Sequence, residues 1–202
     1  MSVCPVTVAG RQLLASGGSD MKVRIWDLAA GQQLATLESQ HLRVLAMCPV
    51  TVAGLLLLAS GGDDGTVQIW DPEAGQQLAK IVTHHGCVRS VCPVTVDGRQ
   101  LLASGGDDGT VRIWDPANGQ QLATLDGQQV RVWSVYPIAI NGRQLLASGG
   151  GDGTVRIWDP ADGSPLLTIP VRYAALAIRE VATLLAIGLD AGALVIELSL
   201  GR

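Results

Sequence analysis

His84, Ser104 and Asp108 are the residue types of a hydrolase triad, in which a histidine oriented by a carboxylate takes the proton of a nucleophilic serine. That chemistry needs the serine exposed on a strained turn, typically within G-x-S-x-G. Ser104 stands instead in Leu-Leu-Ala-Ser-Gly-Gly, and Ser16, Ser60 and Ser148 recur in like surroundings without the histidine. Such recurrence marks scaffolding, and no catalytic residue is expected.

His84, His85 and Cys87 are also zinc-ligand types, but a zinc site needs about four ligands at set spacings and only one stretch carries this cluster. The Gly-Gly-Asp-Asp-Gly runs offer carboxylates for calcium, yet the twelve-residue loop with its terminal glutamate is missing. Tight turns with glycine at positive φ account for them better. Neither a phosphate-cradling G-x-x-x-x-G-K-[ST] nor a dinucleotide fingerprint occurs. No metal and no cofactor is expected.

The elements that position these residues repeat. Trp26, Trp70, Trp114 and Trp158 lie 44 residues apart, each followed by aspartate, and Arg99–Pro116 matches Arg143–Pro160 at 17 of 18 positions. A period of 40–45 residues ending in Trp-Asp signals four strands per unit, arranged as propeller blades. The chain resembles the WD-repeat β-propeller family over nearly its whole length. Its near-identical units and low-lysine, alanine- and glycine-rich composition resemble bacterial members. The expected fold is all-β: four full blades and a three-stranded fifth, over about 1–38, 44–82, 88–126, 132–169 and 173–202, in an incomplete ring.

One unit reads as follows. Val88–Thr95 is a β-branched run closed by the turn pair Asp97-Gly98, and Leu101–Ser104 is a short apolar strand. After the turn Gly105–Gly109, Thr110–Asp115 alternates Val111 and Ile113 with Arg112 and Trp114, the period-two mark of a strand. Gln120–Leu125 supplies the outer strand. The resemblance implies a buried tetrad of His84, Ser104, Asp108 and Trp114 in blade three. Gln40 and Gln128 take the histidine's place in blades two and four, which predicts weaker networks there.

The net charge of −4, with dispersed arginines, excludes an electrostatic nucleic-acid footprint. Cys4, Cys48 and Cys92 follow the period and Tyr136 takes the fourth place; equivalent positions on neighbouring blades are too far apart for a disulfide. Reduced thiols and a cytoplasmic location are therefore expected. No secretory signal is seen after Met1. Val44–Gly62 is uncharged, but its counterpart Val88–Gly106 carries Arg89, Asp97 and Arg99, so two strands and a turn are expected rather than a membrane span.

In the family, partners commonly contact the face formed by the loop into the innermost strand and the turn after the second. Carried over, the candidates are Arg43, Leu45, Cys87, Arg89, Arg131 and Trp133, with Asp63 and Asp107 from the second turn, where Ser19 and Gly151 are the equivalents. Trp133 is the foremost, since tryptophan and arginine dominate interface hot spots; it could instead pack in the channel or against Val130.

The fifth unit departs from the pattern. Aligned on Gly192, it places Glu197 at the tryptophan position, Ala191 at the tetrad aspartate and Ile187 at the serine, and only Leu200-Gly201-Arg202 remain for its outer strand. Closed rings of the family usually have about seven blades. A non-catalytic protein- or peptide-binding scaffold, the C-terminal part of a larger ring, is the first expectation; a five-bladed ring and an arc completed by another copy are the other two readings of its closure. A self-associating structural element is the second, and an enzyme with a channel site the third.

Overall fold

The computed structural model describes residues 2–40, 42–127, 130–181 and 184–197. They form nineteen strands and no helix. Blade one is β1 (Ser2–Val8), β2 (Arg11–Gly17), β3 (Lys22–Asp27) and β4 (Gln32–Glu38). Blade two is β5 (Val44–Val52), β6 (Leu55–Gly62), β7 (Thr66–Asp71) and β8 (Gln76–Val82). Blade three is β9 (Val88–Val96), β10 (Arg99–Gly106), β11 (Val111–Trp114) and β12 (Gln121–Leu125). Blade four is β13 (Val132–Ile140), β14 (Arg143–Gly150), β15 (Thr154–Trp158) and β16 (Pro165–Pro170). Blade five holds β17 (Ala175–Val181), β18 (Leu184–Leu189) and β19 (Gly192–Glu197). Every blade is an antiparallel meander.

The first hairpin of each full blade turns on two residues at positive φ: Ala9-Gly10, Ala53-Gly54, Asp97-Gly98 and Asn141-Gly142. Two such residues give the turn whose twist matches the flanking strands. Asparagine and aspartate tolerate the first position; alanine does so at a cost. Alternation then sorts the faces. In β3, Val23 and Ile25 are buried while Lys22, Arg24 and Trp26 are half-buried.

The core lies between blades. Val23, Ile25 and Leu37 of blade one pack on Val44, Met47, Leu58 and Trp70 of blade two, and the pattern recurs at the next junctions. Burying each large apolar side chain contributes about 1.5–3 kcal/mol. The closest approach is at a glycine. A Cβ on Gly17, Gly61 or Gly105 would meet Val44, Val88 or Val132 at 2.6, 2.7 and 2.6 Å. This corrects the expected strand bounds: Gly105 and Gly106 pair within the sheet instead of turning, Gly105 leaving room for the next inner strand and Gly106 for the His84 ring. Hydrogen bonds join the same strands, Val135 N donating to Ser90 Oγ (3.1 Å) and Ile178 N to Ser134 Oγ (3.2 Å).

The five inner strands lie side by side in chain order, and no comparable packing joins β17 back to β1 among the described residues. The arc is open. Val3 is 53% exposed where its counterpart Val135 is 2% exposed, and Val195 is 56% exposed where Ile157 is 1% exposed. Register also corrects the alignment of the fifth unit. Leu185 pairs with Ile196 as Leu146 pairs with Trp158, so Ile196, not Glu197, takes the tryptophan place. The hairpin between β18 and β19 is one residue shorter, which a count from Gly192 overlooks. Leu200-Gly201-Arg202 lie outside the described residues.

Candidate functional site

His84 stands in the loop between β8 and β9, pinned by its backbone N–H to Gly65 O (3.0 Å). Its Nε2 is 2.8 Å from Ser104 Oγ and its Nδ1 2.9 Å from Asp108 Oδ1. Trp114 Nε1 donates to Ser104 Oγ at 2.9 Å. Burial pushes the imidazole below its ordinary 6.5, against the pull of Asp108. The neutral ring facing a carboxylate then carries its proton on Nδ1, and Nε2 accepts from the serine hydroxyl. Burial raises the Asp108 carboxyl, but His84 and Thr110 outweigh it and hold the carboxyl below 3.8.

Asp108, His84 and Ser104 thus line up as a triad does. The serine, however, is fully buried and its oxygen already accepts the indole N–H. The arrangement ties the His84 loop and the Asp108 turn to β10 and β11 and presents no nucleophile. Serine and tryptophan pair at 2.8 Å in the other full blades: Ser16 with Trp26, Ser60 with Trp70 and Ser148 with Trp158. Gln40 does not enter its blade's network through its amide. It is exposed, and its Oε1 accepts from Lys80 Nζ at 3.2 Å. Gln128 lies outside the described residues.

At the mouth of the arc, the second turns of blades two, three and four hang on the entry loops of their own blades. Asp63 N donates to Arg43 O (3.3 Å), Asp107 N to Cys87 O (3.0 Å) and Gly151 N to Arg131 O (2.9 Å). Arg43 N donates to Asp63 Oδ1 (2.9 Å), and Arg89 grips Asp107 with two bonds, 2.8 and 2.9 Å. Arg131 Nε stands 3.4 Å from the same carboxylate. The Arg89 hydrogen bond, chief among its lowering influences, holds Asp107 below the usual carboxylate range. Burial and then the Asp107 contact push the half-buried Cys87 thiol up.

Trp133 is half-buried between two cations, with Arg89 5.0 Å and Arg131 5.8 Å from its ring. Room for it comes from Gly151, whose Cβ would lie 3.4 Å from Nε1. It faces the channel, as does Leu45. The structure therefore groups Cys87, Arg89, Asp107, Arg131 and Trp133 at one place, with Arg43 and Asp63 paired one blade away.

Below the mouth, the inner strands line a cavity of about 560 Å³. Tyr136 and Arg179 line it, the guanidinium 5.0 Å from the phenol ring. Sequence reasoning did not single them out as a pair; the signal was the break in the series Cys4, Cys48, Cys92 at Tyr136. Burial pushes the Cys4 thiol up to about 12 and raises those of Cys48 and Cys92 as well. Among the described residues no group of three or more His, Cys, Asp or Glu is placed to hold a metal, and no helix is long and apolar enough to cross a membrane.

A family model described as "WD domain, G-beta repeat" matches residues 2–27, 31–71, 75–115 and 119–159. No curated protein matches the chain. Among solved structures, the crystal structure of the computationally designed Ika8 protein is similar, with a TM-score of 0.74 and 27% identity over 92% of this chain and 55% of that one. The chain thus spans about half the length of the designed protein.

Proposed function

The chain belongs to the WD40-repeat family, and from that premise we propose that it is a non-catalytic scaffold binding a protein or peptide at the mouth of its arc. The observation that carries this is Trp133, an aromatic anchor held between Arg89 and Arg131 where the repeats differ most. Arg43, Leu45, Asp63, Cys87 and Asp107 complete the surface. The framework beneath is nearly invariant, so the energy that distinguishes one partner from another comes from these side chains. Selection of random peptides on the immobilised chain tests it. Enriched peptides should lose at least tenfold in affinity on Trp133→Ala or Arg131→Ala. Enrichment indifferent to both substitutions would sink the assignment.

In the same reading the chain is the C-terminal section of a larger ring working in the reducing cytoplasm. What supports this is the pair of uncovered apolar faces, each equivalent to one buried at the inner junctions. Surfaces of that kind drive association when left bare. Light scattering should show the 202-residue chain self-associating, and a version lengthened with further copies of residues 88–131 staying dispersed. A concentration-independent monomer of the shorter chain would contradict it.

A further inference from the structure

The cavity between the inner strands differs in charge from the molecule around it. The chain carries a net charge of −4, yet the cavity wall holds Arg89 and Arg179 and neither aspartate nor glutamate. Asp107 at the mouth neutralises Arg89. Arg179 is exposed and, alone among the arginines on the described strands, has no carboxylate partner among the described residues. Its fork is nonetheless fixed, lying against Tyr136 while NH1 donates to Ile178 O at 2.7 Å. A guanidinium has five donors, so one held by a single carbonyl and an aromatic ring on the cavity wall keeps donors for a carboxylate.

These are also the places where the repeat breaks. Cysteine at three equivalent inner-strand positions gives way to Tyr136 and then Arg179, while the position of Leu45 becomes Arg89, Trp133 and Leu176. The serines beside them, Ser90 and Ser134, are occupied in joining strands. We propose that the cavity binds an extended acidic peptide segment, whose carboxylate pairs with Arg179 and whose backbone runs past Trp133 to the mouth. One unneutralised cation suits a carboxylate monoanion better than a phosphate dianion. A volume of about 560 Å³ accommodates a few residues of chain.

This rests on the reading of the chain as a peptide-binding scaffold but not on Arg43 or Asp63. Calorimetric titration with hexaglutamate, hexaglutamine and glutarate tests it. Hexaglutamate should bind, hexaglutamine at least tenfold more weakly, and glutarate more weakly than hexaglutamate. Arg179→Gln should cost tenfold or more, and Arg179→Lys, which keeps the charge without the fork, should recover only part. Lys22→Gln, the same charge change beside Glu38 on the outer part of blade one, should leave binding unaltered. Absence of hexaglutamate binding, equal binding of hexaglutamine or glutarate, or an equal loss on Lys22→Gln overturns the proposal. Selected peptides that depend on Trp133 but carry no acid would overturn it while leaving the proposed function standing.

Discussion

Gly106 sits so close to His84 that a Cβ on it would meet the imidazole Cγ at 2.5 Å. The ring cannot retreat, because Ser104 and Asp108 hold both its nitrogens. Gly106→Ala should therefore destabilise by about 1–3 kcal/mol through overpacking. Gly188→Ala, whose Cβ would make an ordinary 3.4 Å contact with Ala177, should change little. Urea midpoints of the two variants check the pair.

Removing the imidazole takes one partner each from buried Ser104 and half-buried Asp108. His84→Ala should cost about 1–3 kcal/mol. The sign of the pH effect follows from burial holding His84 below 6.5 in the folded chain. The unfolded chain binds the proton more readily, so this contribution is complete above about 6.5 and is lost as pH falls below it. Stability measured from pH 8 downwards should decline below about 6.5 in the parent and decline less in His84→Ala.

The thiols separate by environment. Cys4, Cys48 and Cys92 are buried with raised pKa values, whereas Cys87 is half-buried at the mouth. A disulfide reagent at neutral pH should titrate one thiol per folded chain, slowly, and all four after unfolding in urea. Two or more reacting in the folded chain would contradict the burial.

The hairpin turns supply an internal comparison. Ala53 holds φ +49° where Asp97 and Asn141 hold +50° and +53°. Ala53→Asn should recover part of the roughly 1–2 kcal/mol that a β-carbon costs in the left-handed region. Asp97→Ala should lose a similar amount. Thermal melts showing no gain for the first would count against strain at that turn.

Much of this was legible in the sequence because the tryptophan period and the alternation of Val111 and Ile113 with Arg112 and Trp114 report strand faces directly. Two of the misreadings share a cause. Glu197 was aligned by counting across a hairpin that is one residue shorter, and Gln40 by counting to a loop position that points to solvent. Counting fixes where a backbone position falls, whereas loop geometry decides where its side chain goes. Arg179 escaped notice because its lack of a carboxylate partner among the described residues depends on what surrounds it in space.

The row Gly17, Gly61, Gly105 and Gly149 makes every junction between blades nearly the same junction. A gene that gains or loses one 44-residue unit by unequal recombination therefore encodes a protein whose new seam already fits. Blade number becomes a heritable variable free to drift. Selection then acts on the few positions at the channel and its mouth where the copies have diverged.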